Sequence, residues 1–244
     1  CDGICIDSGD WESLRSITNS YIVLVKKLIG YYDPNVIQHL RKQNNKIIYI
    51  VTDAFSVNQK GFKNIISQYR DLYDLVLFPS EHASNVFRNI VNSKVLYHLW
   101  DPQVTPTLVD KFKICYFGFL RPDKIHMLDH IDHIDSSSKA PGCSNFYNDL
   151  SKYTCHYSVR DSECSEYMYG TNTKLSTAAA AHCNIVCSRD RSFIELLSEY
   201  DYYVDSIEET PEMIDRAKKE YNSKKWRDNL NRLLTVKDRT SPEK

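Results

Sequence analysis

The sequence predicts an α/β protein built from two small, Rossmann-like, doubly wound lobes. Three observations carry that expectation. Apolar runs of strand length alternate with amphipathic stretches of helix length through most of the 244 residues, the order of parallel strands joined by helical crossovers. Runs such as Tyr21–Val25 are apolar at every position, as in strands buried on both faces. Between the two series lies Asp101–Pro106, which contains two prolines and reads as a hinge or linker.

In the first series, Gly3–Ile6 reads as a short strand ending in the polar turn Asp7-Ser8-Gly9-Asp10, followed by a helix over Trp11–Ile17. Pro34 suits the first turn of a helix that runs to about Gln43. Lys46–Val51 is the clearest strand of this half and ends at Thr52-Asp53. A helix over Phe62–Leu72 and a strand over Asp74–Phe78 come next; Ser80 then caps a helix over Glu81–Val91, and Lys94–Leu99 gives one more strand.

The second series opens with a strand at Phe112–Phe117 running into Gly118. Ser136–Asn145 is a serine-rich loop, Thr154–Val159 a strand ending at Arg160, Lys174–Ala181 a helix and Asn184–Ser188 a strand. Ser192 caps a helix over Phe193–Leu197; a short strand at Tyr202–Val204 precedes amphipathic helices over Pro211–Tyr221 and Lys225–Leu234. The expected division is a lobe of residues 1–105, a lobe of residues 106–236 and a frayed polar tail of residues 237–244.

Bulk composition excludes several function classes. With 31 basic and 32 acidic side chains the net charge is −1, so a sequence-independent grip on nucleic acid, which needs cationic excess, is not expected. No apolar run is long enough to span a bilayer, and no signal segment opens the chain. The first residue is Cys1, which suggests a piece of a longer chain with neighbouring domains. The eight cysteines are scattered without a CxxC pair, and Cys115, Cys183 and Cys187 lie in apolar strand-like runs. They read as reduced core residues of a cytoplasmic protein.

Ligands of doubly wound sheets bind beyond the carboxyl ends of the strands, and the cations of the second lobe gather there. Gly118 follows a strand directly, where a glycine lets the backbone approach a phosphate, and Arg121 and Lys124 stand close by in sequence. Thr173 and Lys174 open the helix LSTAAAA. A cation is disfavoured at a helix N-terminus unless it shares an anion with that helix end. Arg160, ending another strand of the same lobe, is a third cation at the same edge.

With those residues in view, the second lobe resembles the donor-binding lobe of GT-B glycosyltransferases over roughly residues 112–235. The resemblance rests on GFLRPDK at 118–124 and KLSTAAAAHCNIVCS at 174–188. It implies two lobes facing a cleft and transfer of a sugar, hexosyl or deoxyhexosyl, from a nucleotide diphosphate sugar. The acceptor would be an oligosaccharide, glycoprotein or glycolipid. It places Gly118, Lys124 and Lys174 at the donor diphosphate, with Arg121 compensating for Phe119, where the family has arginine, and Thr173 is a further donor-binding candidate. Arg160 adds charge at the same edge, and Ser188 and the stretch to Glu195 lie near the ribose and base. Tyr169 and Thr177 stand where the family's two glutamates would be, and His182 and Asn184 replace its glycine and proline.

No metal and no cofactor beyond the sugar nucleotide, a co-substrate, is expected. There is no Asp-x-Asp signature, and the richest metal-like cluster is His126, Asp129, His130, Asp132, His133 and Asp135, read on a helix. An inverting reaction would need a general base on the first lobe: Asp53 is the first candidate, Asp7 or Asp10 the next, and His82 and His98 are weaker ones. No GxGxxG follows a strand, which argues against a dehydrogenase. The competing readings are another sugar-nucleotide enzyme, such as an epimerase, and a non-catalytic module that binds glycans or a partner.

Overall fold

The computed structural model describes residues 10–26, 33–52, 59–107, 109–118, 131–134, 145–160 and 169–241. The chain divides into two compact units, Cys1–Leu96 and Tyr97–Lys244. Residues 97–105, expected to close the first lobe, therefore pack with the second.

The first unit contains α1 (Trp11–Arg15), β1 (Tyr21–Lys26), α2 (Pro34–Lys42), β2 (Lys46–Val51), α3 (Gln59–Tyr69), a 3-10 turn at Arg70–Leu72, β3 (Leu75–Phe78), α4 (Glu81–Phe87) and β4 (Ser93–Val95). Helix starts follow local chemistry: Asp33 accepts from the Asn35 amide with Pro34 in the first turn, and Ser80 accepts from the Ala83 amide. The four strands form one parallel sheet in the order β1-β2-β3-β4. Ile22, Leu24, Ile47, Tyr49, Val51, Val76 and Phe78 are buried with Ile37, Leu40, Ile66 and Phe87. The run at Tyr21–Val25 does not behave as a strand buried on both faces. Tyr21, Val23 and Val25 are 78%, 51% and 49% exposed, because among the described residues only the Ile22/Leu24 side of β1 is covered.

The second unit contains β5 (Ile114–Phe117), β6 (Asp132–Ile134), α5 (Asn145–Leu150), β7 (Cys155–Ser158), α6 (Thr173–Ala180), β8 (Asn184–Ser188), α7 (Arg191–Leu196), β9 (Tyr203–Val204), α8 (Thr210–Glu220) and α9 (Lys224–Arg239). Its parallel sheet runs β6-β5-β7-β8-β9. The chain steps from β5 to β6 on one side and returns to β7 on the other, so the strand order reverses at the carboxyl ends of β5 and β7. Such a switch point opens the crevice in which doubly wound folds bind ligands. Residues of β5, β7 and β8 are all buried, as in strands covered on both faces, the polar His156, Ser158, Asn184 and Ser188 among them. Leu175, Ala178 and Ala179 of α6 share the main core with Tyr116, Tyr157, Ile185, Phe193, Trp226 and Leu233. Phe146 and Leu150 of α5 pack with Cys115, Phe117 and Ile134.

Three local readings change. Asp132 and His133, read on a helix, belong to strand β6. The linker at 101–106 is anchored: the Thr107 amide donates to Ala181 O at 2.9 Å, and Val104 is buried with Ala180, Ala181 and Cys183. The chain from 237 does not fray at once; α9 continues to Arg239, Thr240 is fully buried, and the Arg239 guanidinium donates to Leu196 O at 3.1 Å. The expected strand at Gly3–Ile6 and most of the loop at 136–145 lie outside the described residues.

Candidate functional site

At the switch point the side chains assemble around Lys174. Its ammonium donates to the carbonyl of Phe117 and lies 4.1 Å from the ring centroids of both Tyr116 and Phe117. Two aromatic faces and a carbonyl therefore hold a half-buried cation in the first turn of α6. Gly118 follows with φ of +134°, a backbone conformation that side chains other than hydrogen resist. A methyl carbon added there would meet Lys174 Nζ at 3.2 Å and the Tyr116 hydroxyl at 3.2 Å. The strand end is pinned from β6: the Gly118 amide donates to Ile134 O at 3.1 Å, and His133 Nε2 donates to Gly118 O at 2.8 Å. The His133 ring stacks on Tyr116 at 5.8 Å.

One strand away, Arg160, Ser188 and Asp190 form a second group. The Arg160 guanidinium pairs with Asp190, which is fully buried. Ser188 Oγ donates to the other Asp190 oxygen at 2.6 Å and accepts from the Arg160 amide at 3.1 Å. A buried carboxylate needs such partners. Arg160 is thus already paired with a carboxylate, and Ser188 bonds to both partners of that pair.

Beneath Lys174 lies His156, fully buried. Burial, and secondarily the Lys174 ammonium, push its pKa down to about 3, so the ring is neutral. Its edge meets Phe117 at 5.1 Å. Sequence reasoning did not single out His156, because a histidine inside an apolar strand carries no motif.

Of the expected donor residues, Gly118, Thr173 and Lys174 come together. Thr173 Oγ1 lies 2.7 Å from Thr171 Oγ1 beside the helix start. Glu195, on α7, accepts a long hydrogen bond of 3.5 Å from the Tyr97 hydroxyl. Arg121 and Lys124 lie outside the described residues, as do Asp53 and Asp7 among the candidate bases. Asp10 is exposed and accepts from the Ser13 amide at 3.1 Å as the cap of α1; its hydrogen bonds from Ser13 lower its pKa. Of the metal-like cluster only Asp132 and His133 are described. A cavity of about 460 Å³ touches Ile114 and Asp132, the first residues of β5 and β6, and so lies at the opposite ends of those strands from Lys174.

Comparison of the whole chain with solved structures identifies the architecture. Sucrose-phosphate synthase (tll1590) from Thermosynechococcus elongatus superposes over 91% of this chain and 70% of its own, with a TM-score of 0.62 and 11% identity. Anabaena Alr3699/HepE, crystallised with UDP and glucose, matches over 96% of this chain and 76% of its own, with a TM-score of 0.64 and 9% identity. The apo structure of OtsA matches over 98% and 76%, with a TM-score of 0.58 and 10% identity. The chain has the GT-B fold. No protein-family model matches its sequence, and no curated protein sequence matches it either. At these identities the likeness resides in the GT-B architecture, two parallel-sheet α/β units, and not in shared side chains. No helix among the described residues is long and apolar enough to cross a membrane.

Proposed function

We propose that this chain is a glycosyltransferase that moves a hexosyl or deoxyhexosyl group from a nucleotide diphosphate sugar to a hydroxyl acceptor, without a metal. The observation that carries the reading is Lys174: a half-buried cation at a helix N-terminus, against a positive-φ glycine, at the switch point of a parallel sheet. In the reaction the bond between the anomeric carbon and the diphosphate oxygen breaks, and its electron pair leaves with the nucleoside diphosphate. The acceptor oxygen bonds to the anomeric carbon, and its proton passes to a carboxylate base if the reaction inverts or to the departing diphosphate if it retains configuration. Lys174 and the start of α6 face the charge that develops on the leaving group, where fixed positive charge contributes most. The nucleotide sugar is a co-substrate, and no cofactor is required. The acceptor class, an oligosaccharide, glycoprotein or glycolipid, follows from the resemblance of the 118–124 and 174–188 segments. Four buried, unpaired thiols support a cytoplasmic setting.

A second reading, a non-catalytic module that keeps the nucleotide pocket, is favoured by two features: Arg160 is paired with Asp190, and by the resemblance Thr177 stands where a ribose-binding glutamate is expected. Turnover separates the two. The chain is incubated with UDP-, GDP- and dTDP-sugars in EDTA, and free nucleoside diphosphate is measured. A transferase releases it slowly by donor hydrolysis, and Lys174→Ala abolishes the release. Binding without release would leave the module reading, and release only with an added divalent ion would refute metal independence.

A further inference from the structure

Among the described residues, Asp10, Asp33, Ser80 and Ser223 each accept from an amide in the first turn of the helix that follows, whereas Asp190 and Glu209, at the starts of α7 and α8, do not. At α6 the N-cap residue is Asn172, among the best capping residues, yet its side chain does not cap the helix. The carboxamide, fully buried, turns instead to the backbone of His98. Oδ1 accepts from the His98 amide at 2.8 Å, and Nδ2 donates to the His98 carbonyl at 3.0 Å and to Ser176 Oγ. Ser176 Oγ donates to the same carbonyl at 3.1 Å. One amide thus satisfies both backbone groups of one residue, as a neighbouring strand would.

The segment held in this way is the one by which the chain enters the second unit. It grips α6 at its other end too, where the Thr107 amide donates to Ala181 O at 2.9 Å and Val104 packs on Ala180 and Ala181. Between those two attachments, α6 carries Lys174 two residues beyond Asn172. A rotation of the first turn would withdraw the ammonium from the rings of Tyr116 and Phe117.

We propose that Asn172 is a positioning residue for the nucleoside diphosphate. Its amide fixes the first turn of α6 against the 97–98 backbone and, by bonding there, leaves the helix N-terminus without its side-chain cap, so that a phosphate takes the cap's place. This rests on the donor site proposed above. Asn172 acts through Lys174 and the helix end and touches no reacting atom.

The test uses calorimetric titration of the whole chain with UDP, GDP and dTDP, carried on with whichever binds most tightly. Asn172→Ser removes both bonds to His98 but supplies a good cap. The expected result is binding weaker by about tenfold or more, with a melting temperature within a few degrees of the wild type, since the new cap offsets part of the lost contacts. Unchanged affinity in a folded Asn172→Ser protein overturns the proposal, and so does a lower melting temperature with intact affinity, the signature of a structural role alone. Should Asn172→Ser not fold, Ser176→Ala, which loosens the same grip while keeping Asn172, is expected to weaken binding about threefold; wild-type affinity there overturns the proposal. If Lys174→Ala loses binding while the Asn172 and Ser176 variants keep it, only the role of Asn172 falls. If the wild type binds none of the three nucleotides, the donor site itself falls and this inference with it.

Discussion

At Gly118 the backbone sits at φ +134°, with Lys174 Nζ and the Tyr116 hydroxyl where a methyl group would go. Gly118→Ala therefore adds left-handed strain, about 1–2 kcal/mol or more, and makes the ammonium give way by a few tenths of an ångström. Its expected effect is nucleoside diphosphate binding weakened about tenfold with a modest fall in melting temperature; calorimetry with normal affinity would show that the glycine serves only the turn. His156 gives a prediction in pH. Its pKa is held down at about 3 by burial, against an ordinary value of about 6.5 in the unfolded chain. Its contribution is complete above the unfolded value and is lost as pH falls toward the folded one. Stability should decline from pH about 6.5 to about 4.5 by up to about 1.4 kcal/mol per pH unit from this one proton. His156→Phe should flatten that decline in denaturant titrations; an equal slope in the variant would exclude His156 as its source. Gly118 and Lys174 were legible in the sequence because a strand end followed by glycine, and a lysine opening an alanine-rich helix, are local signals. The pairing of Arg160 with Asp190 was not, since it joins residues 30 apart that meet only when β7 and β8 pair. Asn172 escaped for a related reason: its side chain answers His98, 74 residues away.

Elements were legible where burial alone decides them. The runs ICYF, CHYS and NIVCS are too short for a core helix, which favours strands, and the structure places all three at the centre of the second sheet. Where two periodicities compete the reading failed. His126 to Asp135 spaces its polar residues as a helix would, yet Asp132–Ile134 pairs with β5 through Cys115, Tyr116 and Phe117. Helix α6 ends on a position of the same kind as Gly118. His182 takes φ +55° just after the C-cap, and the Cys183 amide returns to Ala178 O at 2.9 Å, the wrap that ends helices most often on glycine. A histidine in that conformation is strained, and what offsets the strain is one contact, Nε2 at 3.3 Å from the Lys237 ammonium, while burial and that lysine lower its pKa. His182→Gly is accordingly expected to raise stability by up to about 1 kcal/mol, read as a higher denaturant midpoint at unchanged slope. A lower midpoint would mean that the Lys237 contact outweighs the strain.

For the molecule as a whole, two parallel sheets in two compact units were legible from the alternation of strand and helix signals. The switch point of the second sheet was not, because sequence order says nothing of which side of β5 the strand β6 joins. The interior of that unit offers its own reporter of global unfolding. Cys115, Cys155, Cys183 and Cys187 are buried and unpaired, and burial raises the pKa of each. Aromatic disulfide reagents at pH about 8 should label none of the four in the native protein and all of them in denaturant. Rapid native labelling at any of these positions would contradict the packed core. The claim on which the functional account turns is narrower: that a pyrophosphate sits on Lys174 and the first turn of α6. A co-crystal structure with the tightest-binding nucleoside diphosphate, grown in EDTA, tests it directly. The account expects phosphate oxygens within hydrogen-bonding distance of Lys174 Nζ and of the backbone amides at 173–175, with Lys174 turned from the Phe117 carbonyl toward them. A nucleotide bound elsewhere, with Lys174 still on that carbonyl, would contradict it.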